Sequence, residues 1–162
     1  MHAAAIRALG FRFAVDDAGS GYAGLGSIDH AGRALNQVRK AVLAQMQDAL
    51  RARVVFPIFN ESGEAVALGG RVLPGSADPA KYKNSPETPI YTKSKTLYGL
   101  NWAKGDIVNK NEVIVCEGYT DVIGFHQVGV ARAVATCGTA FTEEHVRLLK
   151  RYASRVVLAF DA

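Results

Sequence analysis

The chain has 162 residues, 49% of them hydrophobic, so it can bury a core as one compact domain or two small ones and is not a disordered tail. It lacks a continuous apolar stretch of the roughly 18 to 20 residues that a membrane span needs, and its first residues show no signal-peptide pattern. The two cysteines form no CxxC pair and offer no framework for structural zinc. We therefore expect a cytoplasmic globular protein.

The net charge of +4 at pH 7 is unevenly distributed. Residues 71–110 contain seven lysines and arginines against three acids, and the rest of the chain is neutral. A basic segment of this kind attracts phosphate, but a solvated lysine-rich loop has the same composition. The charge pattern alone leaves both interpretations open.

The first 52 residues combine a short strand pattern with a helix pattern. FRFAV (11–15) resembles a strand and is followed by the glycine-rich DDAGSGYAGLG (16–26). Residues 31–52 are rich in helix formers with apolar residues at helical spacing, which predicts an amphipathic helix of about twenty residues. We treat residues 1–52 as an atypical N-terminal segment.

Residues 53–110 form the second predicted segment. RVVFPIFNESGEAVALGGRVL (53–73) predicts two strands joined by the turn NESGE. No apolar period is visible from residue 74 to residue 95, which predicts an irregular loop. A loop of this length inside a compact domain is usually functional or disordered.

From residue 111 onward, strand and helix patterns alternate. The successive elements are VIVCEG (113–118), YTDVIGFHQVG (119–129), ARAVATCG (131–138), TEEHVRLLKRYA (142–153) and RVVLAFD (155–161). Thr142 has the character of a helix cap. The order βαβαβ predicts a parallel sheet, and the chain is assigned to the α/β class with an α+β N-terminal part.

Acidic residues follow two of these predicted strands. Glu117 comes after the first strand and Asp161 after the last, and Asp121 lies one helical turn beyond Glu117. Function in open α/β sheets collects at the carboxyl ends of strands, and convergent carboxylates suit a hard cation such as Mg²⁺. The alternatives are that Glu117 and Asp121 cap the following helix, or that one acid is a lone general base. Spacing does not decide among them.

Residues 113–161 resemble the Toprim region of DnaG-type bacterial replicative DNA primases, in which the glutamate of an EGYxDV motif and a later DxD pair bind catalytic metal. Residues 53–73 and KYKNSPETPIYTKSKTLYGLNWAK (81–104) are similar to the preceding subdomain of the same core, which implies a basic subdomain over residues 53–110. The resemblance implies template-directed synthesis of RNA primers by metal-dependent nucleotidyl transfer. It also implies single-stranded DNA and nucleoside triphosphates as partners, with Mg²⁺ or Mn²⁺ as cofactor.

Individual site residues follow from the same resemblance. Glu117 is similar to the catalytic, metal-binding glutamate, Asp121 to its acidic neighbour and Asp161 to the first aspartate of DxD. The segment that contacts template or nucleotide corresponds to Arg71, Lys81, Tyr82, Asn84 and Lys93.

The sequence also departs from the family pattern. The second aspartate of DxD is not among the 162 residues, which implies a truncated Toprim domain over residues 111–162 and an incomplete metal site. The family's zinc-binding and helicase-binding domains are not matched, so a replicative helicase is expected as a partner only of the full-length family. A catalytically inactive single-stranded nucleic-acid-binding remnant and another Toprim enzyme are the alternatives.

Residues 5–28 carry a second, shorter resemblance. AIRALGFRFAVDDAGSGYAGLGSI is similar to a piece of EAL-type cyclic-diguanylate phosphodiesterases, with Ala18 in place of the usual aromatic residue. One strand and loop cannot build that family's barrel, which needs about 250 residues. The resemblance suggests a chimeric chain or a misassembled reading frame, with Asp16 and Asp17 in a solvated turn.

Other polar and aromatic residues have two interpretations each. His126 and His145 have no partner at ligand spacing and are predicted to be helix surface or packing residues rather than metal ligands. Cys137 is predicted to be a small buried packing residue rather than a nucleophile. Four aromatic residues near the lysines are candidates for base stacking or for the core: Tyr82, Tyr91, Tyr98 and Trp102.

Overall fold

The computed structural model describes residues 40, 41 and 49–161. The strand and loop predicted within residues 1–30, with their EAL-like motif, lie outside the described residues. Most of the helix predicted for residues 31–52 does too, although residues 40, 41 and 49 have helical backbone.

The first sheet is an antiparallel hairpin extended by a short third strand. Its strands are β1 (Arg53–Phe59), β2 (Ala65–Val72) and β3 (Tyr82–Asn84), in the order β1-β2-β3. The predicted NESGE turn is present, and Asn60 Oδ1 accepts hydrogen bonds from the N–H groups of Ser62 and Glu64 at 3.0 and 2.9 Å. Strand β3 lies within the segment predicted to be an irregular loop. The prediction missed this strand because three residues are too few to show the alternation of apolar and polar residues that predicts a strand.

The second sheet contains the predicted parallel strands. Its members are β4 (Leu97–Tyr98), β5 (Glu112–Cys116), β6 (Ala133–Thr136) and β7 (Arg155–Ala159), in the order β4-β6-β5-β7. Strand β5 pairs in parallel with both β6 and β7, which confirms the predicted α/β fold. Strand β4 adds an antiparallel edge, and β7 forms the opposite edge.

Three helices pack on the second sheet. They are α1 (Leu100–Lys110), α2 (Tyr119–Gln127) and α3 (Glu143–Leu149). As predicted, α3 is capped by Thr142, whose Oγ1 accepts a hydrogen bond from the N–H of His145 at 3.2 Å. None of the helices in the described ranges is long and apolar enough to cross a membrane.

Strand β5 is buried on both faces. Val113 and Val115 contribute to one apolar cluster, which includes residues of α1 and Leu149 of α3. Ile114 and Cys116 belong to a second cluster, shared with α2 and the first sheet. Double burial explains why the strand is a continuous apolar run rather than an alternating one.

Aromatic rings join the first sheet to the start of α2. The Tyr119 ring stacks on Phe56 of β1 with centroids 5.1 Å apart, and it meets Tyr98 edge-on at 4.7 Å. A Cβ atom on Gly69 of β2 would lie 2.6 Å from the Tyr119 ring, so this close approach requires glycine. The packing sets β2 and β3 beside the carboxyl edge of the second sheet.

Candidate active site

Glu117 and Asp161 leave the second sheet at the same edge. Glu117 directly follows β5, and Asp161 comes two residues after the end of β7. Strands β5 and β7 are parallel, with Cys116 opposite Ala159, so both acids lie beyond the carboxyl ends of their strands. This is the edge at which open α/β sheets bind ligands.

An open groove of about 440 Å³ lies at this edge. It is lined by Glu117, Phe160, Thr136 and residues 138–141, which follow the ends of β5, β7 and β6. Glu117 and Asp161 are exposed, and neither has a hydrogen bond or ion pair with another described residue. No group of three or more potential metal-ligating side chains is found within the described ranges. The groove therefore contains the Glu117 carboxylate without a closed cage, and Asp161 lies at the same edge of the sheet.

Asp121 makes a helix-capping contact. Its Oδ2 accepts a hydrogen bond from the backbone N–H of Gly118 at 2.9 Å, at the start of α2. A carboxylate in the first turn also interacts favourably with the helix dipole. Asp121 thus has the contact that the capping alternative predicts, and Glu117 has no such contact with the described residues.

Asn84 joins the basic segment to the carboxyl edge of the second sheet. Its Nδ2 donates a hydrogen bond to the carbonyl oxygen of Cys137 at 3.2 Å, and its Oδ1 accepts one from the Tyr119 hydroxyl at 3.0 Å. A Cβ atom at Gly138, where φ is +76°, would lie 2.5 Å from Asn84 Nδ2. Both polar ends of the Asn84 amide are therefore used within the protein.

Arg71 and Tyr82 are paired across β2 and β3. The Arg71 Cζ atom lies 5.6 Å from the centroid of the Tyr82 ring, which is 39% exposed. A partly exposed ring beside a guanidinium offers a stacking face and a positive charge on one surface. Tyr91 and Tyr98 are buried in the core, whereas Trp102 is 38% exposed.

Asp78 neutralises part of the basic segment. Its carboxylate accepts from the N–H of Ala80 at 2.9 Å and pairs with Lys83 Nζ at 3.0 Å and with the buried Arg53 guanidinium at 2.5 Å. These contacts, led by the Ala80 hydrogen bond, hold the pKa of Asp78 well below its ordinary value. Lys81 is exposed and has no ion-pair partner among the described residues.

Lys93 begins a short 3₁₀ turn, Lys93–Lys95, that has no buried residue. Its backbone is held on both sides: the N–H donates to Glu87 Oε1 at 2.8 Å, and the carbonyl oxygen lies 2.9 Å from His145 Nε2. Sequence reasoning did not identify Glu87 or His145 as site residues. His145 lies 52 residues from Lys93, and no spacing rule connects them.

Both cysteines are buried thiols, which disfavours a nucleophilic role at neutral pH. Burial raises the pKa of both Cys116 and Cys137 to about 11, so both thiols are protonated near pH 7. Cys137 is fully buried, as its predicted packing role requires.

Two family models match the chain in succession. Residues 26–104 match the DNA primase catalytic core, N-terminal domain, and residues 111–162 match the Toprim domain. The first match begins upstream of residue 53 and includes the helix predicted for residues 31–52. A primase-specific domain in front of the Toprim domain disfavours the alternative of another Toprim enzyme.

Relatives and solved structures agree with these matches. The DNA primase of Clostridium acetobutylicum is 48% identical over 115 residues, which are 71% of this chain and 19% of that protein. The RNA polymerase domain of Mycobacterium tuberculosis primase DnaG matches with a TM-score of 0.71 at 31% identity, over 99% of this chain and 55% of that one. A DnaG primase catalytic domain bound to single-stranded DNA matches with a TM-score of 0.64 at 43% identity, over 70% of this chain and 35% of that one.

The chain spans about a fifth of the length of the curated relatives it matches. The two family matches follow one another along the chain. Together they leave only residues 105–110 unmatched between residues 26 and 162. The chain therefore belongs to the catalytic core of DnaG-type bacterial DNA primases, with a Toprim domain at residues 111–162.

Proposed function

We propose that this chain forms part of a primer-synthesising active site, in which single-stranded DNA and nucleoside triphosphates bind beside the acidic groove. The observation that carries the proposal is the Asn84 bridge, which holds β3 against the end of β6. Basic groups that suit phosphates thereby lie next to carboxylates that suit a divalent cation. The similarity to a catalytic domain bound to single-stranded DNA supports the choice of template.

The carboxylates at this edge of the sheet fit Mg²⁺ or Mn²⁺. Mg²⁺ prefers oxygen ligands and is commonly held by one or two carboxylates together with water and substrate phosphates, so it does not need a closed protein cage. Glu117 and Asp161 would supply the carboxylates, and Asp121 retains one oxygen beyond its contact with Gly118. When bound, the ion supplies Lewis-acid stabilisation of the charge on the reacting triphosphate.

The basic segment would position the two reactants. Arg71, Lys81 and Lys93 would neutralise phosphates, and the Tyr82 ring would stack on a base. In the transfer itself, a ribose 3′-hydroxyl oxygen bonds to the α-phosphorus of the incoming nucleotide, the bond to pyrophosphate breaks, and the hydroxyl proton passes to solvent. Such chemistry needs chromosomal template and nucleotide pools, which supports a cytoplasmic location as part of this proposal.

The test is template binding by the 162-residue chain, measured as fluorescence anisotropy of a labelled single-stranded oligonucleotide over a series of salt concentrations. We expect the logarithm of affinity to fall linearly with the logarithm of salt concentration. Lys81→Met and Lys93→Met should each reduce that slope by about 0.7. Lys110→Met is the matched control. Lys110 is the last lysine of residues 71–110, but it is exposed at the end of α1 that leads into the amino end of β5, away from the carboxyl edge with the groove.

A slope that is the same in the wild type and in both site variants would show that these lysines do not contact the template. A reduction of equal size in Lys110→Met would mean that binding depends only on net charge. Either result would overturn the assignment of the basic segment to the template.

A further inference from the structure

His145 is a polar side chain with no solvent exposure, and both ring nitrogens are used. Nδ1 accepts a hydrogen bond from the backbone N–H of Thr142 at 3.2 Å, and Nε2 lies 2.9 Å from the carbonyl oxygen of Lys93. These partners require the neutral tautomer with its proton on Nε2, since a carbonyl oxygen can only accept. Burial also lowers the pKa of His145, which favours the neutral ring.

Thr142 makes a similar contact with Ser94, the next residue of the 3₁₀ turn Lys93–Lys95, which we call the basic turn. Its Oγ1 accepts the N–H of His145 as a helix cap and donates to the carbonyl oxygen of Ser94 at 2.8 Å. The start of α3 therefore holds two successive carbonyl groups, those of Lys93 and Ser94. Capping α3 needs neither bond, because both lead out of the helix to a turn about fifty residues away.

The contacts with Thr142 and His145 add to the Glu87 hydrogen bond in fixing the position of the turn Lys93–Lys95. None of Lys93–Lys95 is buried, so apolar packing of its own side chains does not hold the turn. The ring of His145 also stacks on Phe141, with centroids 5.8 Å apart and planes at 12°, and Phe141 lines the groove that contains Glu117. The short segment 141–145 thus connects the groove to the basic turn.

We infer that His145 is a positioning residue for nucleic-acid binding: it holds the Lys93 backbone so that the Lys93 ammonium group faces the template phosphates beside the groove. This inference rests on the proposed function, because it requires that Lys93 contacts the template. His145 itself touches no substrate. It acts through the Lys93 carbonyl, with Thr142 holding the neighbouring carbonyl of Ser94.

Two substitutions at the same position separate the two ring contacts. His145→Asn places its side-chain oxygen near the Nδ1 site and retains the local contact with Thr142, but it cannot reach Lys93. His145→Gln reaches the Nε2 position with an N–H donor and retains the contact with Lys93. Each loses one hydrogen bond, so their urea midpoints should fall by similar amounts. Single-stranded DNA affinity, however, should fall in His145→Asn and stay near the wild-type value in His145→Gln.

A double-mutant cycle then tests whether His145 acts through Lys93. In the wild-type background, the change in log Kd caused by His145→Asn should be at least half of the change caused by Lys93→Met. In the Lys93→Met background it should have no further effect. If His145→Asn fails to fold, Thr142→Val takes its place. It loses the bond to Ser94 together with the α3 cap, and its loss of affinity should likewise disappear in the Lys93→Met background.

The outcomes distinguish the two proposals. If Lys93→Met leaves affinity and salt slope unchanged, the assignment of Lys93 to the template is wrong and the role of His145 falls with it. If Lys93→Met weakens binding but His145→Asn does not, only the positioning role is wrong. Equal losses from His145→Asn in both backgrounds, or equal losses in the Asn and Gln variants, would also overturn the positioning role.

Discussion

The side-chain amide of Asn84 donates a 3.2 Å hydrogen bond to the carbonyl oxygen of Cys137, a residue 53 positions further along the chain. The same amide accepts a hydrogen bond from the hydroxyl group of Tyr119, the first residue of α2. Strand β3 is therefore connected to the end of β6 and to the start of α2. Any shift of β3 relative to the groove would break both hydrogen bonds.

Asn84→Asp tests this bridge. The variant keeps an acceptor for Tyr119 but presents an oxygen to the Cys137 carbonyl, so two acceptors face each other. We expect the free energy of unfolding to fall by about 1–3 kcal/mol, because a polar partner is left unsatisfied. Tyr119→Phe removes only one hydrogen bond and should cost about 0.5–1.5 kcal/mol. Urea unfolding at pH 8 measures both, and an Asn84→Asp variant as stable as the wild type would contradict the bridge.

Gly69→Ala tests the contact between β2 and the start of α2. The new Cβ atom would lie 2.6 Å from the Tyr119 ring, which is confined between Phe56 and Tyr98 and has little room to move. Overpacking of this kind costs about 1–3 kcal/mol of stability.

Gly105→Ala is the matched control for Gly69→Ala. Gly105 lies on the exposed face of α1, and a Cβ atom there would meet nothing within 4 Å. We expect the control to gain about 0.5–1 kcal/mol, because alanine is the better helix former. Thermal unfolding of both variants measures the difference, and a loss of equal size in the two would argue against steric contact at Gly69.

Glu117→Gln and Asp121→Asn distinguish a metal ligand from a helix cap. Glu117 has no hydrogen bond with a described residue, so Glu117→Gln should weaken Mn²⁺ binding strongly and leave stability nearly unchanged. Asp121 accepts from the Gly118 N–H, so Asp121→Asn should cost about 0.3–1 kcal/mol of stability through weaker interaction with the helix dipole. Mn²⁺ titration followed by electron paramagnetic resonance, together with urea unfolding, gives both quantities. Unchanged Mn²⁺ affinity in Glu117→Gln would remove Glu117 from the metal site.

His145 should make stability depend on pH as pH falls through 6.5, the ordinary pKa of histidine, and below it. Burial lowers its pKa in the folded state below the ordinary value of 6.5, against the opposing effect of the hydrogen bond to the Lys93 carbonyl. As pH falls below 6.5, the unfolded chain binds the proton first, so the free energy of unfolding decreases until the folded pKa is passed. His145→Gln should lack this decrease. Urea unfolding at a series of pH values gives the difference between the two proteins, and parallel curves would refute the prediction.

Much of the Toprim portion could be predicted from local sequence pattern. The apolar run of residues 113–116 marks a strand buried on both faces, and Thr142 marks the start of α3, because both signals depend on neighbouring residues alone. Strands β3 and β4 could not be predicted in this way. They have three and two residues, and they are strands only because β2 and β6 offer backbone partners.

The alternation of strand and helix patterns was enough to predict that Glu117 and Asp161 lie at one edge, because parallel strands of one sheet have their carboxyl ends on the same side. The hydrogen-bond partners depend on the folded structure. Asn84 meets Cys137 and His145 meets Lys93 across 53 and 52 residues, and such bonds depend on distances and angles that residue spacing does not encode. The same geometry gave Asp121 a capping partner and left Glu117 open to the groove.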